Sequence, residues 1–100
     1  MAYEIILSPE ALDHLAALTA RQRRIVLDAI ETHRTHQPTI STRRRKPLRP
    51  NPLASWELRV GQFRVYYQVE STDGEDTVYV IAVGRKVRNR VIIAGVEVGL

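Results

Sequence analysis

The alternation of apolar and polar residues is clearest in the second half of the chain, where it predicts a β-hairpin. Residues alternate through 56–60 (WELRV) and again through 63–69 (FRVYYQV), and Gly61 can open a two-residue type II′ turn between them. A two-residue turn fixes the register, so that Arg59 lies opposite Arg64 on one side of the hairpin. The cross-strand pairs of the core-facing side are then Trp56 with Tyr67, Leu58 with Val65, and Val60 with Phe63.

The first half of the chain predicts a strand followed by two helices. Residues 3–7 are β-prone, and Ser8 is a favourable N-cap for a helix that begins directly after them. Thr19 and Gln22 have the spacing of a capping box and so predict a second helix, which we expect to run to about Thr35. The predicted core-facing residues are Leu12, Leu15, Ala16 and Leu18 on the first helix, and Val26, Ala29, Ile30 and His33 on the second.

The remaining segments complete an α+β prediction. Residues 37–54 lack periodicity and hold four prolines, so we expect a long irregular connection. An acidic turn is expected at 71–76, followed by a strand at 77–83 that is apolar on both faces, therefore central, and ends at Gly84. We predict one domain over residues 1–100, with a strand, a helical hairpin and a three-stranded antiparallel meander in one small twisted sheet.

Composition removes several classes of site. The chain has no cysteine, so a disulfide, a thiolate metal site and a cysteine nucleophile are excluded. The histidines His14, His33 and His36 lack carboxylates at zinc spacing, and we expect neither a metal nor a cofactor. No apolar run is long enough to cross a membrane and the first ten residues do not read as a signal peptide, so we expect a cytoplasmic protein without a membrane partner.

The net charge of +4 is unevenly distributed along the chain. Residues 41–70 carry a large excess of cations over acids, and the tail 85–90 is basic again. Such a distribution favours an acidic partner, although a charge run on a connection is as often merely solvated. The candidate phosphate-binding cations outside the hairpin are Arg43, Arg44, Arg45, Lys46 and Arg49 in the connection and Arg88 in the tail.

The apposed Arg59 and Arg64 are the strongest candidate for an anion site. Like charges directly across an antiparallel pair cost up to about 1 kcal/mol unless something neutralises them. Phosphate suits two adjacent guanidiniums, but Glu57 and Glu70 on the same face are an alternative, internal source of neutralisation. Tyr66 shares that face and is a candidate for stacking on a base or donating its hydroxyl, or else an ordinary half-buried strand aromatic.

The order of elements and three motifs resemble the RelE/ParE toxin superfamily over nearly the whole chain. The motifs are Leu58-Arg59-Val60, Phe63-Arg64-Val65-Tyr66-Tyr67 and Ile81-Ala82-Val83-Gly84-Arg85-Lys86. The resemblance implies a helical hairpin packed on a largely antiparallel sheet and, for RelE-like members, cleavage of mRNA in the ribosomal A site. It further implies that Arg64, with Lys86 or Arg85, holds phosphate.

The chain departs from the RelE pattern at two places. Where RelE has lysines in the first hairpin strand, this chain has Ser55 and Glu57, and where the family often has a C-terminal Tyr or His, it has Ile92. Glu57 is then the candidate base, with Arg85 or Arg88 as an electrostatic substitute. Since no Ser-His-Asp set, phosphate loop or carboxylate pair is present, such an enzyme would use electrostatic stabilisation and acid–base chemistry.

These observations predict the toxin of a type II toxin–antitoxin pair, and specifically a metal-independent, ribosome-dependent mRNA endonuclease. Its expected partners are mRNA on the ribosome and a cognate antitoxin. We expect the antitoxin to be acidic and either to cover the Arg59/Arg64 face or to displace the C-terminal segment. Two alternatives remain open. One is a ParE-like toxin that inhibits DNA gyrase without nuclease activity, and the other is a non-toxic RNA-binding module.

Overall fold

The computed structural model describes residues 4–33, 45–51 and 53–98, and these form an α+β fold. The helices are α1 (Pro9–Ala16) and α2 (Ala20–His33). The strands are β1 (Glu4–Leu7), β2 (Arg45–Pro47), β3 (Trp56–Val60), β4 (Phe63–Thr72), β5 (Glu75–Val87), β6 (Arg90–Ile93) and β7 (Val96–Val98). The predicted α+β class is confirmed. Within the described ranges, neither helix combines the length and apolarity needed to cross a membrane.

The strands form one sheet around the long central strand β5. Strands β2 to β7 follow one another as antiparallel neighbours, and β1 pairs in parallel with residues 77–80 of β5. The predicted three-stranded meander was too short, because β2, β6 and β7 extend it. Strand β2 falls inside the connection predicted to be irregular. The sequence did not predict it, because three residues are too few to show alternation.

Both predicted ends of β5 are wrong. The acidic turn lies within the predicted segment 71–76 but is shorter, because β4 and β5 continue to a two-residue turn at Asp73 and Gly74, which have φ of +52° and +79°. Gly84 does not end the strand, which continues to Val87. Packing explains this glycine: a Cβ there would lie 2.7 Å from Cγ1 of Ile93 and 2.9 Å from the carbonyl oxygen of Ile92.

The helical hairpin begins as the sequence predicts. The Ser8 hydroxyl accepts a hydrogen bond from the Ala11 N–H at 3.0 Å, and Thr19 and Gln22 close a reciprocal capping box with two 3.1 Å hydrogen bonds. Arg23 joins the two helices, because its Nε donates to the Leu15 carbonyl at 2.9 Å and its Nη2 donates to two more carbonyls at the end of α1. The predicted end of α2 near Thr35 lies outside the described residues.

Two apolar clusters lie on opposite faces of the sheet. The larger one packs the helices on the sheet, and its buried members are Ala11, Leu15, Val26, Ile30, Leu58, Phe63, Val65, Tyr67, Val78, Val80 and Val83. The predicted stripe of α1 is partly wrong, since Leu12 is 52% exposed and Ala16 is exposed too. The His33 side chain lies outside the described part. The smaller cluster, on the face away from the helices, consists of Ala54, Tyr66, Ala82 and Ile93.

Candidate basic pocket

A polar pocket of about 260 Å³ opens on the sheet face away from the helices. Its lining consists of Lys46, Pro47, Leu48, Arg49, Glu57, Tyr66, Lys86, Asn89 and Val91. Three of these side chains are cations, one is a carboxylate and one is a phenol. We call this site the basic pocket.

Strand register builds the floor of the basic pocket. Lys46 on β2 is the direct cross-strand partner of Glu57 on β3, and Glu57 is in turn the partner of Tyr66 on β4. Direct partners in an antiparallel pair project from the same face of the sheet, so these three side chains form one row across it. Lys86 joins them from β5, where its backbone N–H donates to the Gln62 carbonyl at 2.8 Å.

The carboxylate of the pocket, Glu57, forms a buried ion pair with Arg64. Arg64 Nε lies 2.9 Å from Glu57 Oε1, with both side chains about nine-tenths buried. Arg64 Nη1 also donates to the carbonyl oxygens of Gly61, at 2.7 Å, and Phe63, at 2.8 Å. The predicted Arg59–Arg64 register is confirmed, and Glu57 provides the internal neutralisation that the sequence left as an alternative. Arg59 lies beside this pair, and its Nε has no hydrogen-bond partner within the described ranges.

Tyr66 is the most deeply buried group of the basic pocket. Its side chain is fully buried, and its hydroxyl has no hydrogen-bond partner among the residues that the structure describes. Burial raises the pKa of Tyr66 to about 12, the Glu57 charge adds to the rise and Arg64 opposes it. The phenol therefore keeps its proton at neutral pH.

A folded loop brings Arg49 and Leu48 over this face. The Asn51 side chain donates from Nδ2 to the carbonyls of Arg49, at 2.7 Å, and Ala54, at 3.0 Å. Its Oδ1 accepts hydrogen bonds from two backbone N–H groups of the same loop. One amide thus holds both sides of the loop, and Ala54 packs beside Tyr66 in the smaller apolar cluster.

The other predicted site residues do not line the basic pocket. Arg85 lies on the helix side of the sheet, with its guanidinium 5.6 Å from the centre of the Phe63 ring, so the predicted cup of Arg85 and Lys86 does not form. Arg45 is the cross-strand partner of Leu58 and lies close enough to Tyr67 to oppose the rise of its pKa, which places Arg45 on the helix side as well.

The positions of the remaining predicted cations differ. Arg88 is exposed in the β5–β6 turn, with a φ of +57° and no place in the pocket lining. Arg43 and Arg44 lie outside the described residues. Ile92 is the cross-strand partner of Arg85 and lines an apolar groove on the helix side. The adjacent residue of β6, Val91, points to the other face and lines the basic pocket.

Sequence reasoning missed Asn51, Asn89 and Val91. Asn51 stands between two prolines, a context that favours turns in which an asparagine side chain bonds nearby backbone groups, so a local signal existed. Asn89 and Val91 reach the pocket only because β6 folds back on β5. That strand follows a turn with Arg88, not glycine, at positive φ, and the sequence gives no usual signal for it.

Comparison with known proteins identifies the family. The sequence model of the ParE toxin of the type II toxin–antitoxin system parDE matches residues 5–90. A search of curated proteins finds no match. A chain of the toxin–antitoxin complex RelBE2 from Mycobacterium tuberculosis superposes with a TM-score of 0.69 at 24% identity, covering 86% of this chain and 100% of that one. The YoeB/ParE toxin from Agrobacterium tumefaciens superposes with a TM-score of 0.63 at 18% identity, covering 84% of this chain and 99% of that one.

Both superpositions support the fold, and the family match extends over most of the chain. The resemblance to the RelE/ParE superfamily that the hairpin and strand motifs suggest is therefore confirmed. The chain belongs to the ParE toxin family of type II toxin–antitoxin systems.

Proposed function

We propose that this toxin cleaves mRNA on the ribosome and does so in the basic pocket. The observation that carries the proposal is the placement of Lys46, Arg49 and Lys86 around one carboxylate, Glu57. Phosphodiester is the anion that such a cluster of cations suits best. Glu57, the buried partner of Arg64, also lines the pocket beside these cations, and a carboxylate there can accept a proton, which favours a chemical role over simple binding.

The chemistry follows from the substrate. In RNA the 2′-hydroxyl is an internal nucleophile, and Glu57 is the group of the pocket that can accept its proton. Attack on phosphorus adds negative charge to the phosphoryl oxygens, which the ammonium of Lys86 and the other pocket cations stabilise. DNA lacks the 2′-hydroxyl, so the same pocket would bind DNA without cleaving it.

Arg64 has a supporting role in this proposal. Its guanidinium is buried against Glu57 and two backbone carbonyls, and Arg64 is not among the residues that line the pocket. We assign Arg64 the role of holding the Glu57 carboxylate in place, and we assign phosphate binding to Lys86, Lys46 and Arg49.

The proposed partners follow from charge and from the family. The net charge of +4 suits the ribosome and its mRNA, and a toxin with this surface is best neutralised by an acidic antitoxin. The M. tuberculosis relative was solved as a toxin–antitoxin complex, which supports such a partner here. We propose a cytoplasmic location, because the ribosomes and mRNA on which this toxin would act are there.

Inhibition of DNA gyrase is the second candidate function. Two observations favour it: the family description names ParE, and Ile92, at the position where RelE-like members often have Tyr or His, lies on the face opposite the basic pocket. In a gyrase inhibitor the basic pocket would have no catalytic role.

The deciding experiment compares single substitutions in a cleavage assay on ribosomes programmed with a defined mRNA. We expect Glu57→Gln, assayed below its own Tm because it breaks the buried pair with Arg64, to reduce cleavage by about a hundredfold or more, and Lys86→Ala by tenfold or more. Arg88→Ala is the matched control, because Arg88 is exposed and outside the pocket lining, and it should cleave like the unmodified toxin.

A supercoiling assay with purified gyrase runs in parallel. If the toxin inhibits gyrase and leaves ribosome-bound mRNA intact, the nuclease proposal is refuted and the second candidate replaces it. Pulse labelling of induced cells gives the same decision in vivo, since we expect protein synthesis to fall before DNA synthesis.

A further inference from the structure

The Tyr66 hydroxyl is a buried polar group with no structural use in the described part of the protein. Its side chain is 0% exposed, yet the oxygen has no hydrogen-bond partner there. A buried hydroxyl without a partner destabilises a fold, and phenylalanine would fill the same space without that cost. The ring packs well, but packing does not account for the oxygen.

The surroundings of this hydroxyl indicate a ligand. Tyr66 is part of the pocket wall together with Lys46, Arg49 and Lys86, and it is the direct cross-strand partner of Glu57. A phosphate bound by these three cations lies against the pocket wall to which Tyr66, with its unpartnered hydroxyl, belongs. The missing hydrogen-bond partner of the tyrosine is then an oxygen of the substrate.

We propose that Tyr66 is the general acid of this toxin, donating its proton to the 5′-oxygen that leaves when the RNA backbone is cut. This inference rests on the proposed nuclease function and assigns its second proton transfer. It concerns a residue of β4, on the face that carries Glu57, and so requires no group from the C-terminal strands.

The proposed reaction is balanced in atoms and protons. The 2′-hydroxyl loses its proton to Glu57 as the bond between its oxygen and phosphorus forms. The bond between phosphorus and the 5′-oxygen breaks, and that oxygen takes the Tyr66 proton. The products are a 2′,3′-cyclic phosphate and a 5′-hydroxyl. The proton held by Glu57 then returns to the phenolate through water, which restores both groups.

The Tyr66 phenol is protonated before this step, as a general acid must be, although its raised pKa also makes it a weaker acid. Burial, with the added effect of Glu57, raises the pKa of the phenol to about 12, so it stays protonated until a stronger base develops beside it. A departing alkoxide is such a base. The pocket cations stabilise the phenolate for the short time before it is reprotonated.

Tyr66→Phe is the decisive substitution, because it removes the one oxygen and keeps the ring. We expect its kcat on programmed ribosomes to fall by about a hundredfold or more, with little change in KM. Its Tm should be equal to that of the unmodified toxin or higher, because an unpaired buried hydroxyl has been removed. Tyr67→Phe is the matched control, since Tyr67 packs in the cluster on the opposite face, and it should retain full activity.

A substrate with a modified leaving group separates acid catalysis from any structural effect. Replacing the 5′-bridging oxygen by sulfur makes a leaving group that departs without protonation. On that mRNA, Tyr66→Phe should cleave nearly as fast as the unmodified toxin, whereas Glu57→Gln should stay slow.

Two results would overturn the inference. One is full activity of Tyr66→Phe on normal mRNA, and the other is an equal defect of this variant on both substrates. Either result leaves the proposed function standing as long as the unmodified toxin cleaves and Glu57→Gln does not. If the unmodified toxin fails to cleave mRNA at all, the proposed function itself has failed.

Discussion

Replacing Arg64 by methionine should strongly destabilise this toxin, because the substitution leaves the Glu57 carboxylate buried without its ion-pair partner. The two side chains are 10% and 8% exposed, and Nε lies 2.9 Å from Oε1. The same guanidinium donates to the carbonyls of Gly61 and Phe63. Methionine keeps most of the apolar stem of Arg64 and removes all of these interactions.

The expected cost is about 3–5 kcal/mol, the range found when one partner of a buried ion pair is removed. A domain of this size has a total stability of roughly 5–15 kcal/mol, so the loss is a large fraction of it. At roughly 4–8 °C of Tm per kcal/mol, the melting temperature should fall by about 12 °C or more. The Arg59–Arg64 register considered alone predicts the opposite sign, since removing either arginine would relieve repulsion.

A double-mutant cycle decides between the two expectations. Arg64→Met and Glu57→Leu are measured singly and together by urea unfolding, with Arg59→Met as the control for loss of one strand arginine. We expect the double variant to recover most of the stability lost in Arg64→Met, because neither member of the buried ion pair then remains without the other. An Arg64→Met protein as stable as the unmodified toxin would show that the buried pair contributes nothing to stability, and would refute this reasoning.

Three further predictions concern stability. Arg23→Ala should cost roughly 1–2 kcal/mol in urea unfolding, because the Arg23 hydrogen bonds to the carbonyls of Leu15, Ala16 and Leu18 are lost. An unchanged urea midpoint would contradict this role. Gly84→Ala should cost about 1–3 kcal/mol of stability and so lower Tm, because the added Cβ would lie 2.7 Å from Cγ1 of Ile93. Folding raises the pKa of Tyr66 and Tyr67 from 10.0 to about 12. The free energy of unfolding should therefore hold below pH 10 and fall as the pH rises through about 12. Urea unfolding of the unmodified toxin and of Tyr66→Phe at a series of pH values tests this.

The β3–β4 hairpin was predictable from sequence in every core-side pair. The alternation of WELRV and FRVYYQV is strict, and the Gly61 turn, with a φ of +59°, leaves one register that buries the apolar set. The helix starts were equally predictable, because Ser8 and Thr19 satisfy backbone groups within a few residues of themselves. Local chemistry determines both features, so local sequence reveals them.

The end of β5, and the side of the sheet to which each of its residues points, were harder to predict for two physical reasons. The register shifts between Tyr66 and Tyr67, so that Ile81 is passed over in the pairing and the alternation of β5 changes phase there. A bulge of this kind leaves no periodic signal. The second reason is Gly84, which is required by its close contact with Ile92 and Ile93 but resembles a strand terminator in the sequence.

The extension of β5 beyond Gly84 also decides what the neighbouring basic residues do. In a strand, Arg85 and Lys86 must point to opposite faces, and they do: one lies over Phe63 and the other lines the basic pocket. The same rule divides the basic connection, where Arg45 pairs with Leu58 on the helix side and Lys46 pairs with Glu57 on the pocket side.

A run of basic residues is therefore a poor guide to a basic surface once part of the run becomes a strand. Only alternate cations of such a run reach one face, and the others contribute to the opposite side or to the core. In this toxin, positive charge is concentrated at the basic pocket because Lys46 and Arg49, from one connection, meet Lys86 of β5 across the row of Glu57 and Tyr66. Cross-strand pairing, which joins residues far apart in sequence, determines the site, and the charge run alone does not.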